Sequence, residues 1–392
     1  MHYLTVLLSL AIIFLLSFIV SNNRREIRYF PLLKMLIIQI VLGYLLLNTT
    51  GGAFVIGSFS DAFAKLLDYA HQGVQFVFGG LAAKGDFIFF FNVCLPIIVV
   101  SALIGILQYI SVLQWLMRLI GWLISKTNGM GKLESYNGIA SLVLGQSEVY
   151  LSMKKQLHYL SANRLYTLSA SAISTVSMST VGSYMQLLEP RFVVTALLLN
   201  LFGGFMVASV VNPYRVDPKD DLLEIANPRE QNFFDMLGEY LMDGFKIAIV
   251  IAITMIGYVA LIAMVNDIFS SIFGMTFEHL MGYVCAPFAF MMGVPWADAV
   301  QAGSLMAVKI LSNEFVAMLQ MQHLHDLDPR TTAIITVFLV SFANFSSIGV
   351  IAGTIKALSE RQGIAVARAG LKLLYGATLV SLLSGTVTAL LV

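Results

Sequence analysis

Long stretches without a charged side chain constrain this chain more than any other feature of its sequence. A helix that crosses the hydrocarbon core of a bilayer needs about 20 residues with few or no charges. Eight runs of at least 20 residues contain no Asp, Glu, Lys or Arg: 1–23, 35–60, 87–117, 165–188, 192–214, 247–266, 331–355 and 373–392. The sequence therefore predicts an all-α polytopic membrane protein with eight transmembrane helices.

The composition supports this prediction and excludes other classes of protein. Charged residues make up 11% of the chain and apolar residues 58%, whereas about a quarter of the residues of a soluble protein are charged. A soluble multidomain enzyme and a disordered chain are therefore excluded, and a net charge of +1 provides no global field to attract a nucleic acid. Cys94 and Cys285 both lie in apolar stretches, which fits neither a disulfide framework nor a thiolate metal cluster.

The basic residues predict the orientation, because Lys and Arg accumulate on the cytoplasmic side of a membrane. With residue 1 outside, the predicted cytoplasmic segments carry 18 Lys and Arg residues, and the outside carries five: Lys65, Lys84, Arg191, Lys309 and Arg330. The run 1–23 lacks the basic start and small-residue cleavage site of a signal peptide, so we interpret it as a retained anchor. We therefore expect a multi-pass protein of the cell (inner) membrane with both termini on the external or periplasmic side.

Two further apolar segments, 135–160 and 279–322, are interrupted by charges. The first contains Glu148, and the second contains Asp298, Lys309 and Glu314. Each segment holds two stretches long enough to cross half a membrane, joined near a Gly or an Asn. A segment that enters and leaves on one side preserves the eight-span topology, and non-helical backbone at depth is tolerated where it lines a polar cavity or is buried in protein. We therefore predict two re-entrant helical hairpins that form the functional site.

The two hairpins share a layout that predicts an internal repeat. The first contains Gln146-Ser147-Glu148 and the second Ser312-Asn313-Glu314, and each is followed by a span with a polar cluster, at 174–180 and 341–347. Repeat-built transporters place their substrate site at the repeat interface near mid-membrane. An acidic side chain at this depth costs about 2.5–3.5 kcal/mol on insertion scales, so we interpret Glu148 and Glu314 as functional residues.

Other polar residues have two interpretations each. Gln146 and Asn313 either recognise a ligand or cap half-helices, and the hydroxyls between 169 and 180 either line the site or pack helices together. Asn344 lies in a 25-residue uncharged run, where an amide must find hydrogen-bonding partners. Lys309 either pairs with an acid or lies at the membrane interface.

The chemistry of this set predicts an uncharged ligand. Two carboxylates, two amides and several hydroxyls offer many acceptors and some donors, and no basic residue clusters with them, which argues against phosphates and carboxylates. Carboxylates that accept from vicinal hydroxyls suit a neutral sugar-bearing heterocycle, so a nucleoside fits, and a simple sugar or another neutral polar solute stays possible. An intramembrane enzyme is disfavoured, because neither His-Glu-x-x-His nor Gly-x-Ser-Gly occurs and no histidine lies in the middle of a span.

At these residues the sequence resembles the concentrative nucleoside transporter family, and in particular its short bacterial members. Similarity extends along essentially the whole chain. The matching pieces are Gly145-Gln146-Ser147-Glu148, Asn313-Glu314-Phe315-Val316-Ala317, Ser341-Phe342-Ala343-Asn344-Phe345-Ser346-Ser347-Ile348-Gly349, Asn128-Gly129-Met130-Gly131-Lys132-Leu133-Glu134-Ser135 and Leu371-Lys372-Leu373-Leu374-Tyr375-Gly376.

The resemblance implies an architecture and a mechanism. It implies eight spans, two re-entrant hairpins and a homotrimer, in which a transport domain moves across a fixed trimeric scaffold by an elevator mechanism. It divides the chain into five segments: scaffold spans with an external amphipathic helix at 1–110, an interfacial helix at 111–134, the first hairpin and following spans of the transport domain at 135–214, a cytoplasmic loop and scaffold span at 215–278, and the second hairpin and following spans of the transport domain at 279–392.

The resemblance also implies the substrate-binding residues and the activity, which is cation-coupled symport of nucleosides such as uridine into the cell. Residues that match the nucleobase side of the family site are Gln146, Ser147, Glu148 and Thr180. Residues that match the ribose side are Glu314, Asn344 and Ser347, and Phe342 matches a wall of the pocket. No cofactor is implied.

Our expectation for the coupling ion depends on one position at which this chain differs from the sodium-coupled members of the family. Sodium-coupled relatives carry an Asn four residues before the Gly of the Gly-Gln motif, and this chain has Ser141 there. The other positions that match the sodium site are Leu144, Thr175 and Val176. Because a Ser hydroxyl is a weaker oxygen ligand than an amide carbonyl, we expect proton coupling, with Glu148 or Glu314 as the proton carrier, and sodium coupling is the alternative.

Overall fold

The computed structural model of the chain describes residues 2–82, 87–217, 221, 223, 232–324 and 326–392. Helices and connecting loops make up these residues, and none of them is in a β-strand. The predicted segments 1–110 and 215–278 each include residues outside the described part of the chain, at 83–86 in the first and at 218–220, 222 and 224–231 in the second.

The N-terminal third forms a group of long apolar helices followed by an amphipathic one. A π-helical turn, Phe90–Cys94, leads into the fourth helix. The helices are α1 (His2–Ile19), α2 (Tyr29–Asn48), α3 (Thr50–Phe78), α4 (Pro96–Tyr109) and α5 (Val112–Asn128). Helix α5 lies within the predicted segment 111–134, whose residues 132–134 already belong to the next helix. It ends at Asn128 and is followed by Gly129, whose φ of 67° suits a left-handed cap.

The first half of the internal repeat contains short helices around two breaks. The helices are α6 (Lys132–Leu144), α7 (Glu148–Ser152), α8 (Lys154–Leu157), α9 (Ala162–Ser174), α10 (Met178–Leu187) and α11 (Pro190–Val211). The predicted first hairpin is formed by α6 and α7, and the polar cluster at 174–180 coincides with the break between α9 and α10. Ser and Thr favour such a break because their side chains compete with the backbone for hydrogen bonds.

The second half follows one long helix. The helices are α12 (Phe233–Phe273), α13 (Phe277–Met292), α14 (Ala299–Leu311), α15 (Glu314–Gln322), α16 (Pro329–Leu339), α17 (Phe345–Leu358), α18 (Glu360–Arg368) and α19 (Gly370–Leu391). The order α5, α6–α7, α9–α10, α11 recurs as α13, α14–α15, α16–α17, α19, in agreement with the predicted repeat.

The predicted second hairpin, 279–322, needs one correction. Its first part is a separate helix, α13, which packs along α14, and only α14 and α15 form the broken pair. Gly303 permits this packing, because a Cβ atom there would lie 2.4 Å from the carbonyl oxygen of Gly282. Apolar length alone did not separate α13 from the hairpin, because both helices are similarly apolar.

The eight predicted spans correspond to continuous and broken helices. Among the described residues, five helical segments are long and apolar enough to cross a membrane: Tyr29–Asn48, Phe90–Tyr109, Pro190–Val211, Phe233–Phe273 and Gly370–Leu391. The remaining three predicted spans are α1, whose apolar part is shorter, and the pairs α9–α10 and α16–α17.

Burial separates a central from a peripheral set of helices. In the most apolar part of α11 and of α19, 89% and 83% of the residues are buried, compared with 6% in the most apolar part of α12. Helices α1 and α2 pack on α11 and α19, whereas α4 packs along α12. Gly244 makes the contact between α12 and α4 possible, because a Cβ atom there would lie 2.7 Å from the Cα of Ile98. The helices of the segment 1–110 therefore have two different packing environments.

Candidate functional site

Four interruptions of helical structure meet inside the protein. Two are the hairpin tips, at 145–147 and 312–313, and two are the span breaks, at 175–177 and 340–344. The breaks contact each other directly, because the Phe342 N–H donates a hydrogen bond of 3.1 Å to the Thr175 carbonyl. Irregular backbone at membrane depth needs such partners, since no water is available to satisfy it.

The tip of the first hairpin requires a glycine. Gly145 has a φ of 110°, a region that favours glycine because it has no Cβ. An added Cβ would lie 2.8 Å from Glu148 Oε2 and 2.9 Å from the Cβ of Ser177. The turn brings Glu148 to the first position of α7, next to the break of the following span.

Glu314 begins α15 and is the centre of a buried hydrogen-bond network. The Tyr184 hydroxyl donates to Oε1 at 2.8 Å, and the Asn344 amide donates to Oε2 at 2.8 Å. The residue is 4% exposed. These two donors fix the carboxylate and satisfy part of its capacity to accept hydrogen bonds.

The two Asn residues of the site cap the helices that follow them. Asn313 accepts a hydrogen bond from the Val316 N–H at 3.0 Å, and Asn344 accepts one from the Ser347 N–H at 2.9 Å. Capping is therefore one role of Asn313, and it is one of the two interpretations that the sequence left open. Such caps satisfy N–H groups that a helix leaves free at its start.

One cavity of about 360 Å³ connects the two hairpin tips. All eight residues that the resemblance assigned to substrate binding line it: Gln146, Ser147, Glu148, Thr180, Glu314, Phe342, Asn344 and Ser347. The Oε1 atom of Gln146 is buried and has no hydrogen-bond partner among the described residues. The cavity therefore has carboxylate, amide and hydroxyl groups on its polar side.

Helix α12 forms the opposite wall of the cavity, which no feature of the sequence predicted. Its contribution includes apolar side chains such as Ile247 and Val250, and three polar residues, Asp243, Lys246 and Thr254. Asp243 and Lys246 form an ion pair of 2.9 Å and are 40% and 67% exposed at their side chains. They lie one turn before an uncharged run, so their sequence resembles that of an ordinary surface turn at a membrane boundary.

Tyr184 is a second residue that the sequence did not reveal. It is fully buried, and its ring packs on Phe315 with a centroid distance of 5.0 Å. A single Tyr in an apolar helix is typical of packing. The comparison of the two repeats did not identify Tyr184 either, because its hydroxyl donates to Glu314, which belongs to the other repeat.

The four residues that match the family sodium site lie beside the cavity rather than in its lining. Ser141 and Leu144 belong to the last turn of α6, and Thr175 and Val176 belong to the break of the following span. The Ser141 hydroxyl is buried and has no hydrogen-bond partner among the described residues. This free oxygen fits a ligand for a hard cation such as sodium, which prefers oxygen donors. No group of three or more His, Cys, Asp or Glu side chains able to hold a metal ion occurs in the described part of the chain.

A buried ion pair fixes the cytoplasmic end of the first hairpin, as the predicted topology places it. Arg164 donates to both carboxylate oxygens of Glu134, at 2.6 and 3.1 Å, and the Tyr214 hydroxyl donates to Oε1 at 2.9 Å. The Glu134 side chain is fully buried. This network joins α6 to α9 and to the segment after α11.

Comparison with known proteins identifies the family. Models described as Na+ dependent nucleoside transporter N-terminus, nucleoside recognition, and Na+ dependent nucleoside transporter C-terminus match residues 8–81, 90–191 and 192–389. The purine nucleoside transport protein NupG of Bacillus subtilis (strain 168) is 36% identical over 397 residues, with 100% of both chains covered. The nucleoside permease NupC of Helicobacter pylori (strain ATCC 700392 / 26695) is 27% identical, with 98% of this chain and 96% of the relative covered.

The chain belongs to the concentrative nucleoside transporter family. Solved structures of the transporter CNTnw support this: an inward-facing substrate-bound state has a TM-score of 0.94 at 28% identity, covering 100% of this chain and 99% of that one. An outward-facing variant of CNTnw has a TM-score of 0.93 at 28% identity, again with 100% and 99% covered.

Membership of the concentrative nucleoside transporter family confirms three predictions. The chain is a nucleoside transporter, it is an integral membrane protein with the all-α fold of this family, and it is not an enzyme, because members of the family are transporters. The family models are described as Na+ dependent, which supports cation coupling in general.

Proposed function

We propose that this transporter moves nucleosides such as uridine into the cell together with a proton. One observation supports the site most strongly: Glu148 and Glu314, which are 166 residues apart (314 − 148), line the same cavity of about 360 Å³. That volume lies near the lower end of the range of about 300–1,000 Å³ typical of small-molecule sites, which suits a compact polar ligand.

We assign the ribose to Glu314, Asn344 and Ser347. The Glu314 carboxylate already accepts from Tyr184 and Asn344, and an ionised carboxylate has about four acceptor positions. Two positions are therefore left for vicinal hydroxyls of a sugar. The expectation that no basic residue lies with the acids was wrong, because Lys246 lines the cavity. Its ammonium group is already paired with Asp243, so a phosphorylated ribose would add negative charge near Glu148 and Glu314 without a free counter-charge from Lys246, which disfavours nucleotides.

We assign the nucleobase to the tip of the first hairpin, at Gln146, Ser147 and Glu148, with Thr180 beside it and Phe342 as a wall. The unpartnered Gln146 Oε1 atom offers an acceptor to an N–H group on a base edge. Phe342 is 9% exposed, so only part of its ring is available to a ligand. The similarity to a purine nucleoside transport protein means that purines belong among the tested ligands.

For the coupling ion we propose a proton, carried by Glu148 or Glu314. Both acids lie at the cavity, and the position that bears Asn in sodium-coupled relatives is Ser141 here. A specific observation favours sodium as the second candidate, since the Ser141 hydroxyl is buried and unpartnered. Sodium would then be held by Ser141, Leu144, Thr175 and Val176.

We further propose an elevator mechanism in a homotrimer, with a changed division of the chain. Because α1 and α2 pack on the central helices α11 and α19, we propose that they move with the transport domain. The scaffold then consists of α3, α4 and α12. Many apolar side chains of α12 point away from the protein, such as Ile256, which is 74% exposed, and such a surface suits lipid or a second copy of the chain.

The orientation with both termini outside is also a proposal. It places the start of α12 in the cytoplasm, and the cavity extends along α12 from Thr254 towards Asp243. In this orientation the cavity approaches the cytoplasmic side, which corresponds to an inward-facing state. Lys309 is buried and so does not belong among the outside basic residues, which leaves four there and strengthens the charge bias.

The experiment is uptake of radiolabelled uridine into vesicles that contain the purified protein. A pH gradient without sodium and a sodium gradient without a pH difference are imposed separately, with adenosine, ribose and uracil as competitors. We expect the pH gradient to drive accumulation and adenosine, but neither ribose nor uracil, to compete. Accumulation driven by sodium alone would replace the proton proposal by the sodium alternative, and competition by ribose alone would contradict the nucleoside site.

A further inference from the structure

A lysine is completely buried in the second hairpin, and neither the cavity nor any ion pair uses it. Lys309 lies in α14 and has no exposed surface. It does not line the cavity, and it forms no ion pair with the described residues. A cation inside a membrane protein is costly and marks a function by default.

The ammonium group of Lys309 uses all of its hydrogen-bond donors. It donates to the Phe338 carbonyl at 2.5 Å, to the Ser341 hydroxyl at 2.7 Å and to the Ser381 hydroxyl at 3.0 Å. An ammonium group has three donors and no acceptor, so three neutral oxygens surround it much as ligands surround a small metal cation. The two hydroxyls also contact each other, at 2.9 Å.

The acceptors explain what this cation does. In an unbroken helix the Phe338 carbonyl would accept from the N–H of Phe342, four residues later. That N–H instead donates to Thr175 in the other repeat, so the break leaves the Phe338 carbonyl without its helical partner. Lys309 supplies the missing donor and, through Ser341 and Ser381, joins α14, the break and α19.

The residues next to these acceptors face the ligand. Phe342 and Asn344 belong to the same break and line the cavity, and Asn344 donates to Glu314. The break is held from its other side by Asn200, whose amide donates to the Val340 carbonyl at 2.5 Å. The position of the ligand-facing residues therefore depends on a segment whose backbone carbonyls accept from side chains of α11 and α14 and whose Ser341 hydroxyl contacts Ser381 of α19.

The first repeat has no such lysine. Thr175 and Ser341 are counterparts, since each lies 27 residues after the acid of its hairpin (175 − 148 and 341 − 314). The Thr175 hydroxyl donates to the carbonyls of Ser171 and Ala172, at 3.2 and 3.4 Å, whereas the Ser341 hydroxyl accepts from the Lys309 ammonium group at 2.7 Å. The two counterpart breaks therefore have different hydrogen-bonding partners.

We propose that Lys309 is a built-in cation that positions the break at 340–344 for ligand binding. Lys309 is a positioning residue, because it acts through Phe342 and Asn344 without touching the ligand. The proposal rests on the proposed function in one respect, which is that the ligand at Phe342 and Asn344 is a nucleoside.

The test compares Lys309→Met, which keeps the length of the side chain and removes the charge, with the wild type. Uridine uptake gives KM and maximal rate, and hydrogen–deuterium exchange of the ligand-free protein reports on the backbone at 339–347 independently of any substrate. We expect at least a tenfold rise in KM with a smaller change in maximal rate, and faster exchange confined to 339–347. Unchanged KM, or exchange that rises equally throughout α11 and α19, would overturn the proposal.

A second pair of variants keeps the lysine in place. Ser381→Ala removes one hydrogen-bond acceptor of the ammonium group. Ser384→Ala is its matched control, because the Ser384 hydroxyl is buried on the same helix and has no hydrogen-bond partner in the described part of the chain. We expect Ser381→Ala to raise KM about threefold and to speed exchange at 339–347, and Ser384→Ala to do neither. Equal effects of the two variants would contradict the proposal even if Lys309→Met does not fold. Absence of uridine uptake by the wild type would contradict the substrate instead and leave the exchange measurement as the test.

Discussion

Replacing Glu314 by Gln changes one oxygen to an NH2 group in a site where both oxygens accept hydrogen bonds. Tyr184 donates to one oxygen and Asn344 to the other, each at 2.8 Å. In Glu314→Gln, the new NH2 group faces one of these donors. A buried donor left without an acceptor costs about 1–3 kcal/mol.

That cost is present with and without ligand, so it lowers the free energy of unfolding and does not change the affinity. The affinity falls because a hydrogen bond to a charged group contributes about 1.5–3 kcal/mol and one to a neutral group about 0.5–1.5 kcal/mol. For two vicinal hydroxyls the loss is about 2 kcal/mol, which corresponds to roughly 30-fold weaker binding of uridine at about 1.4 kcal/mol per factor of ten.

Equilibrium binding of radiolabelled uridine to the purified protein measures this effect, and Tyr184→Phe provides the control. In the double variant Glu314→Gln/Tyr184→Phe, the Gln oxygen can face Asn344 and its NH2 group meets no competing donor. The losses in the free energy of unfolding of the two single variants, measured by chemical denaturation, should therefore sum to more than the loss of the double variant, by about 1 kcal/mol or more in a double-mutant cycle. Wild-type affinity in Glu314→Gln, or strictly additive losses, would refute this account of the carboxylate.

Three further changes test other parts of the structure. Glu148→Gln should alter the dependence of uridine uptake on pH and on the base more than its dependence on ribose hydroxyls, which uptake of uridine and 2′-deoxyuridine at several pH values measures; an unchanged pH profile would exclude Glu148 as the proton carrier. Gly145→Ala should lower uptake at least tenfold at equal protein level, because a Cβ would lie 2.8 Å from Glu148 Oε2, whereas Gly349→Ala, where a Cβ meets nothing within 4 Å, should leave uptake unchanged. Glu134→Ala should destabilise the protein by about 3–5 kcal/mol, because it removes one partner of a buried ion pair. Glu189→Ala, which breaks an equally short pair of 2.6 Å at an exposed site, should cost at most about 1 kcal/mol. Equal melting temperatures of the two variants would show that burial does not control the strength of these pairs.

The membrane fold could be predicted because its physical signal is local. Runs without charge predict spans, and the polar clusters at 174–180 and 341–347 marked the two breaks, since such residues stabilise non-helical backbone. Glu148 and Glu314 stood out for the same reason, as acids in apolar surroundings. The separation of α13 from the second hairpin had no such signal.

The contributions of α12 and of Tyr184 to the site depend on tertiary contacts. Asp243 and Lys246 line the cavity because α12 packs across the tips of the hairpins, and nothing in their own segment encodes that crossing. Tyr184 meets Glu314 from the other repeat. Lys309 was expected to pair with an acid or to lie at the interface, whereas the structure surrounds it with three neutral oxygens. One of them is the Phe338 carbonyl, which lacks its helical donor because of the break, and the position of that break relative to Lys309 is a tertiary feature.

The hydrogen bond between Phe342 and Thr175 has a thermodynamic consequence. In the sodium alternative, Thr175 belongs to the segment that would bind the ion and Phe342 to the wall that would contact the nucleoside, so this one backbone contact would couple the two occupancies. Linkage requires that the two ligands favour or oppose each other by the same factor. A symporter needs that factor to exceed one, because otherwise either ligand would cross the membrane alone and dissipate the gradient, and a contact of this length provides a short physical route for the coupling.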